Sequence, residues 1–169
     1  PPPLPALIFV DPPRIVNLTL TPCKNFTINV SIIDANYLYS FEFKLSFDPD
    51  MLNATDAVLG NIFFPPVTPT IEINNTAGYV WFSASLAPPQ PEVSGNGTLA
   101  VITFHVEGLG ACKLILSDTV LKDSVGTQLP HSTSDGYFNN VLLAKLAVEP
   151  PEITDPSLMP PATFEINVT

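Results

Sequence analysis

Positive charge is scarce in this chain. Six Lys and Arg stand against 16 Asp and Glu, for a formal net charge of -10. Such an acidic chain opposes the phosphate neutralisation that nucleic-acid binding needs, and anionic membranes repel it. Histidine and cysteine number two each, so His105, His131, Cys23 and Cys112 leave too little for zinc sites of several His and Cys ligands. Apolar runs are short, such as Val141-Leu142-Leu143-Ala144, against the roughly 18 or more residues of a membrane span. The opening Pro1-Pro2-Pro3 has neither an initiator Met nor a charged-then-apolar signal pattern, so the chain is expected to begin after processing or inside a longer protein. What is present is proline: 20 of 169 residues, far above the roughly 5% of average usage, which excludes long helices and coiled coils. With 46% hydrophobic and 13% charged residues, one domain with a sizeable core is expected.

Alternation at period two runs through the sequence. Phe26, Ile28 and Val30 share one strand face, with Asn25, Thr27, Asn29 and Ser31 on the other. Phe41, Phe43, Leu45 and Phe47 alternate with Glu42, Lys44 and Ser46 before an Asp48-Pro49-Asp50 turn. Further strands are expected over 14–20, 71–73, 79–86, 99–106, 113–116 and 137–143, separated by Gly, Pro, Asn and Asp. Only 50–59 is read as able to hold a helical turn. The fold class is therefore all-β: an antiparallel two-sheet sandwich of about nine strands with very little helix. Its expected core is Phe26, Ile28, Val30, Phe41, Phe43, Leu45, Phe47, Leu99, Val101, Leu114 and Leu116, with Leu99 and Val101 pointing outward instead if Ile102 and Phe104 face in.

Asn is followed two residues later by Ser or Thr at Asn17, Asn25, Asn29, Asn53, Asn74, Asn96 and Asn167, seven of the 12 asparagines. With 26 Ser and Thr in 169 residues, chance predicts 12 × 26/169, or about two. This excess implies passage through a glycosylating secretory route, so an extracellular location and N-linked glycans on these sites are expected. The bland reading is that Asn, Ser and Thr are common in any exposed β protein. An oxidising exterior would suit a Cys23–Cys112 disulfide, worth roughly 4 to 5 kcal/mol in the chain-entropy model. The alternative is two buried thiols acting as small hydrophobes.

Residues 39–63, YSFEFKLSFDPDMLNATDAVLGNIF, run from an aromatic strand through an Asp-Pro turn to a Leu-Gly step. Residues 97–104 (GTLAVITF), then Gly108-Leu109-Gly110, then 114–126 (LILSDTVLKDSVG) follow. This ordered set resembles the cohesin family over residues 8–143. The resemblance implies a nine-stranded jelly roll, related in fold to some carbohydrate-binding modules, and a dockerin-like partner. The cysteine pair and dense sequons depart from the usual scaffoldin pattern and put dockerin binding in question, because sugars on an exposed sheet would obstruct a protein-binding face.

Residues 146–169 (LAVEPPEITDPSLMPPATFEINVT) align without gaps on residues 8–31, with 10 of 24 positions identical at an offset of 138. Accidental similarity of Pro-rich and Val-rich strands is the bland alternative to an internal repeat. The organisation expected is a linker over 1–7, a cohesin-like sandwich over 8–145, and at 146–169 the opening strands of a next repeat or a donated strand packing in another copy. Phe164, Ile166 and Val168 would be its assembly strand, and other copies of the same domain, as a homopolymer or tandem array, the expected partners. No nucleic acid and no membrane span are expected.

The leading function is therefore a secreted, glycosylated structural module of an extracellular filament or surface array. A cohesin-type receptor for a dockerin-like partner is the first alternative, and a carbohydrate-binding module the second, in which Trp81 and Tyr79 would stack on sugar rings. Asp48, Asp50, Asp118, Asp123 and Asp135 could offer oxygens to calcium, but turn-capping is the commoner role and no cofactor is expected. His105 is read as a solvent or sheet-edge residue and His131 as a loop residue. No pair of carboxylates is singled out as acid and base, so no enzyme is expected and no catalytic residue is assigned.

Overall fold

The structure, a computed structural model, describes residues 4–142. The repeated segment 146–169, with Phe164, Ile166, Asn167 and Val168, lies outside the described residues. Within them the chain is all-β and contains no helix. The strands in chain order are β1 (Ala6–Asp11), β2 (Arg14–Val16), β3 (Asn25–Leu38), β4 (Ser40–Ser46), β5 (Leu52–Leu59) and β6 (Thr70–Asn74). There follow β7 (Tyr79–Ser85), β8 (Val93–Val106), β9 (Ala111–Lys122), β10 (His131–Ser134) and β11 (Gly136–Asn139). A five-stranded sheet of order β10-β1-β3-β8-β5 faces a six-stranded sheet of order β2-β11-β9-β4-β7-β6.

Eleven strands arise where about nine are expected because two strands change sheets. The chain leaves β1 at Asp11, turns through Pro12-Pro13, and enters the other sheet as β2; β10 and β11 do the same around Asp135. Prolines suit the first crossing because they cannot extend the ladder. At the second crossing the backbone of Gly136 passes so close to Val10 that a Cβ would lie 2.6 Å from its Cγ1, which only a residue without a side chain permits.

Period two predicts which side chains enter the core wherever the ladders are regular. In β4, Phe41, Phe43 and Leu45 are buried while Glu42, Lys44 and Ser46 are half-buried on the outer face. Phe41, Phe43, Phe63 and Phe82 form one aromatic cluster between the sheets, with Phe43 stacked on Phe82 at 5.6 Å between centroids and Phe41 tilted against Phe63 at 5.6 Å. Phe26 is only half-buried, at the margin of the core, where it stacks on Phe138 at 5.0 Å.

Two departures from the expected pattern come from bulges. Val30 pairs with Ala100 but Ser31 pairs with Thr98, so Leu99 is an extra residue in β8. That phase change buries both Leu99 and Ala100, sends Ile102, Phe104 and Val106 inward, and leaves Val101 on the outer face. The expectation of a core Val101 is corrected accordingly. The segment read as a helical turn is strand β5. A register shift between Ala54 and Asp56 puts Leu52, Ala54 and Ala57 inward, and this spacing of two then three imitates helical periodicity.

Candidate interaction surface

The outer face of the six-stranded sheet is built from the outward phases of its strands. In the middle row Ser117 of β9, Lys44 of β4, Trp81 of β7 and Glu72 of β6 lie side by side. Neighbouring rows place Ile115, Ser46, Tyr79 and Asn74 together on one side, and Val120, Glu42, Ser83 and Thr70 on the other. Beyond β9, Lys113 lies beside Tyr137 and Tyr137 beside Arg14. With Lys122, the face holds Arg14, Lys44 and Lys113, four of the six Lys and Arg of an acidic chain.

These side chains restrain one another. The Trp81 indole N–H donates to Glu42 Oε2 at 2.9 Å. Lys44 Nζ stands 4.6 Å from the centre of the Tyr79 ring and 3.6 Å from Asp118 Oδ2, and the Arg14 guanidinium lies 4.6 Å over the Tyr137 ring. Tyr79 donates its hydroxyl to Glu72, which holds the phenol above its ordinary value. The Lys44–Asp118 pair is solvent-exposed, so it orients more than it stabilises. The result is an aromatic, partly charged sheet face whose side chains restrain one another. Trp81 and Tyr79 are recognisable in the sequence as aromatics on one strand face. The contributions of Arg14, Lys113, Ser117 and Tyr137 are not, because they depend on strand neighbours distant in the chain.

The six described sequons distribute unevenly. Asn25, Asn29 and Asn53 stand on the outer face of the five-stranded sheet, where Asn25 and Asn53 flank His105 in one row. Asn74 ends β6 at the edge of the other sheet, Asn17 follows its opposite edge strand β2, and Asn96 lies in the early part of β8. The four inner strands β11, β9, β4 and β7 carry none.

The expected disulfide is absent: Cys23 and Cys112 are both free. Cys23 is exposed in a turn at φ 80°, its N–H donating to the Val106 carbonyl at 3.0 Å. Cys112 sits in β9 among Ser46, Phe47 and Asp48, and burial pushes its thiol pKa up, partly opposed by a backbone hydrogen bond from Asp48. Each cysteine is thus held by different backbone partners. Labelling of the folded, unreduced domain should find two free thiols, Cys23 reacting at once and Cys112 slowly until denaturant exposes it. Recovery of a bridged Cys23–Cys112 peptide would contradict this arrangement.

The five aspartates serve separate local structures. Asp48 Oδ1 accepts the Asp50 N–H at 2.9 Å, Asp123 Oδ1 accepts those of Val125 and Thr127, and Asp135 Oδ1 accepts that of Leu116. Among the described residues no three His, Cys, Asp or Glu converge as metal ligands. His105 lies on the outer face, with Nδ1 2.7 Å from Asn25 Oδ1. His131 opens strand β10 rather than sitting in a loop, and its Nε2 lies 2.8 Å from Thr119 Oγ1.

The family model for the cohesin domain matches residues 21–139. No curated protein matches the chain. Among solved structures, the chain is similar to a non-cellulosomal cohesin from the hyperthermophilic archaeon Archaeoglobus fulgidus, at 17% identity and a TM-score of 0.68, covering 82% of this chain and 93% of that one. It is also similar to the third ScaC cohesin of Acetivibrio cellulolyticus, solved in complex with the ScaB dockerin, at 14% identity and a TM-score of 0.70, covering 81% and 99%. A third similar structure is the OlpC cohesin complex with Doc435 from Clostridium thermocellum, at 12% identity and a TM-score of 0.64, covering 79% and 90%.

These findings overturn the expectation that the partners are other copies of the same domain: the solved complexes pair a cohesin with a dockerin, a different domain. The fold supplies a physical reason. β1 already lies between β10 and β3, and β3 between β1 and β8, so the positions a donated copy of residues 8–31 would take are filled by the chain's own strands. Strand order, sheet composition and the match over residues 21–139 together establish that this chain belongs to the cohesin family.

Proposed function

We propose that this domain is a non-catalytic cohesin-type receptor, working outside the cell, that binds a dockerin-like domain on the outer face of its six-stranded sheet. The observation that carries this reading is the separation of the two faces. A receptor needs one sheet face free of sugar, and strands β11, β9, β4 and β7 offer one without a sequon. The same face concentrates Trp81, Tyr79 and Tyr137 with arginine and lysine, and interfaces are enriched in aromatic residues and arginine. Asn25, Asn29 and Asn53 fall on the opposite face, and the sequons of the six-stranded sheet lie at its edges, Asn17 beyond β2 and Asn74 beside Tyr79, so sugar there would border the inner strands rather than cover them.

The carbohydrate-binding reading fits less well. A sugar platform needs open ring faces, whereas Lys44 lies against the Tyr79 ring, leaving Trp81 as a single stacking surface. Titration calorimetry of the folded domain against a panel of dockerin domains, with cello-oligosaccharides in parallel, tests the proposal. Saturable one-to-one binding of a dockerin and none of sugar is the expected result. Sugar binding without any dockerin binding would overturn it.

A further inference from the structure

The sequons are the feature of this chain that partner binding does not explain. We propose that Asn25, Asn29 and Asn53 carry N-linked glycans that jointly cover the outer face of the five-stranded sheet. This inference does not depend on the identity of the partner.

Pairing across β1, β3, β8 and β5 brings the three asparagines into one patch. Asn25, His105 and Asn53 form one row, Thr27, Thr103 and Asp56 the next, and Asp11, Asn29, Val101 and Val58 a third. Asn25 and Asn53 are 53 − 25 = 28 residues apart in sequence and in different strands, so chance composition of a single strand does not bring them together. The patch contains apolar side chains that a sandwich would ordinarily turn inward: Val58 is 46% exposed, and Val101, Phe9 and Ile33 are half-buried on the outer phase. A sugar chain beside Val101 and Val58 would cover apolar surface that no strand of the described domain covers.

Most of the described sequon amides are not committed through nitrogen. None of the six described sequon asparagines is buried, whereas Asn139 and Asn140, outside any sequon, are. Asn17, Asn74 and Asn96 accept backbone hydrogen bonds through Oδ1, and Asn25 Oδ1 meets His105, so the nitrogen that would carry sugar is not the atom used. Among the non-sequon residues, Asn36, Asn75 and Asn140 donate Nδ2 to backbone carbonyls, while Asn61 and Asn139 accept through Oδ1 as the sequon residues do. Asn53 donates Nδ2 to Glu107 Oε2 at 2.7 Å. A glycosylated amide keeps one N–H, so that bond survives modification.

The reaction needs a polyprenyl-phosphate-linked or polyprenyl-diphosphate-linked oligosaccharide and a membrane-bound transferase. The bond between sugar C1 and the donor phosphate oxygen breaks as Nδ2–C1 forms. One Nδ2 hydrogen leaves as a proton, the lipid phosphate departs with the bonding pair, and nothing is oxidised or reduced.

Glycopeptide mass spectrometry of protein secreted by its native host tests the assignment. Peptides bearing Asn25, Asn29 and Asn53 should show saccharide mass added at those residues. Hydroxyl-radical footprinting then tests coverage by comparing native protein with two sugar-free triple variants, N25Q/N29Q/N53Q and T27A/S31A/T55A; the second keeps all three asparagines. Labelling of Phe9 and His105 should be lost in the native protein relative to both variants, while that of Trp81 stays the same. Unmodified peptides from the native host would overturn the proposal, as would equal labelling of Phe9 and His105 in all three proteins.

Discussion

Phe43→Ala should lower the melting temperature of this domain by about 10–15 °C. Phe43 is fully buried and stacks with Phe82 at 5.6 Å and with Phe41 at 6.3 Å, each within 8° of parallel. Removing a buried phenyl ring costs roughly 3–5 kcal/mol in lost transfer energy and residual cavity. The stacked pairs add about 0.5–1.5 kcal/mol beyond burial. Relaxation is limited because Phe41 and Phe63 close the cluster from the other side, so the sheets cannot approach to fill the space. Total stabilities of roughly 5–15 kcal/mol make that loss a large fraction of the whole. Phe64→Ala is the matched control: its ring is 88% exposed, and a surface truncation of this kind should change stability by less than about 0.5 kcal/mol. Calorimetric melts of the two variants beside the parent protein decide the point. A Phe43→Ala melt within a few degrees of the parent would mean that the ring cluster is not the core of the sandwich.

Trp81→Ala should weaken binding of a dockerin-like partner by about 30-fold or more, the equivalent of roughly 2 kcal/mol. Trp81 occupies the middle row of the proposed docking face, between Lys44 and Glu72, and its indole is held by Glu42 at 2.9 Å. A large ring already fixed in place loses little rotamer entropy on binding and has much area to bury, which is the usual profile of an interface hot spot. Its outer-face position makes the effect on folding small, so affinity and stability should separate. Val58→Ala, on the opposite sheet face, should leave affinity unchanged. Calorimetric titration with the same dockerin measures both. Equal affinities of the parent and Trp81→Ala would move the docking site elsewhere on the domain.

Much of the architecture is legible in the linear sequence because period two is a local property. Phe41, Phe43 and Leu45 are expected inward and are buried, and Ile28 and Val30 likewise. The ordered segments over 39–63, 97–104 and 114–126 carry the family resemblance, and the family match over residues 21–139 agrees with it. Trp81 and Tyr79 also stand out, though for a sugar platform rather than for a protein-binding face.

Other features depend on which strands become neighbours. The bulges at Leu99 and between Ala54 and Asp56 change phase in ways that only cross-strand pairing reveals. The crossing of β1 into β2 and of β10 into β11 relies on the close passage of Gly136 against Val10, a contact between residues 136 − 10 = 126 positions apart. The even number of cysteines and an expected oxidising exterior suggest a bridge, whereas both thiols are free in the fold.

The alternation of apolar and polar residues determined by itself that this chain is a β-sandwich, because the inward or outward direction of a strand side chain follows from its position along that strand. Which outward residues would share a surface was decided only by tertiary structure. Asn25 and Asn53 meet across β8, and Arg14, Lys113, Lys44 and Trp81 come from four strands of the other sheet. The physical reason is that a face is assembled by hydrogen bonding between strands far apart in the chain, and a strand's own periodicity carries no information about its neighbours.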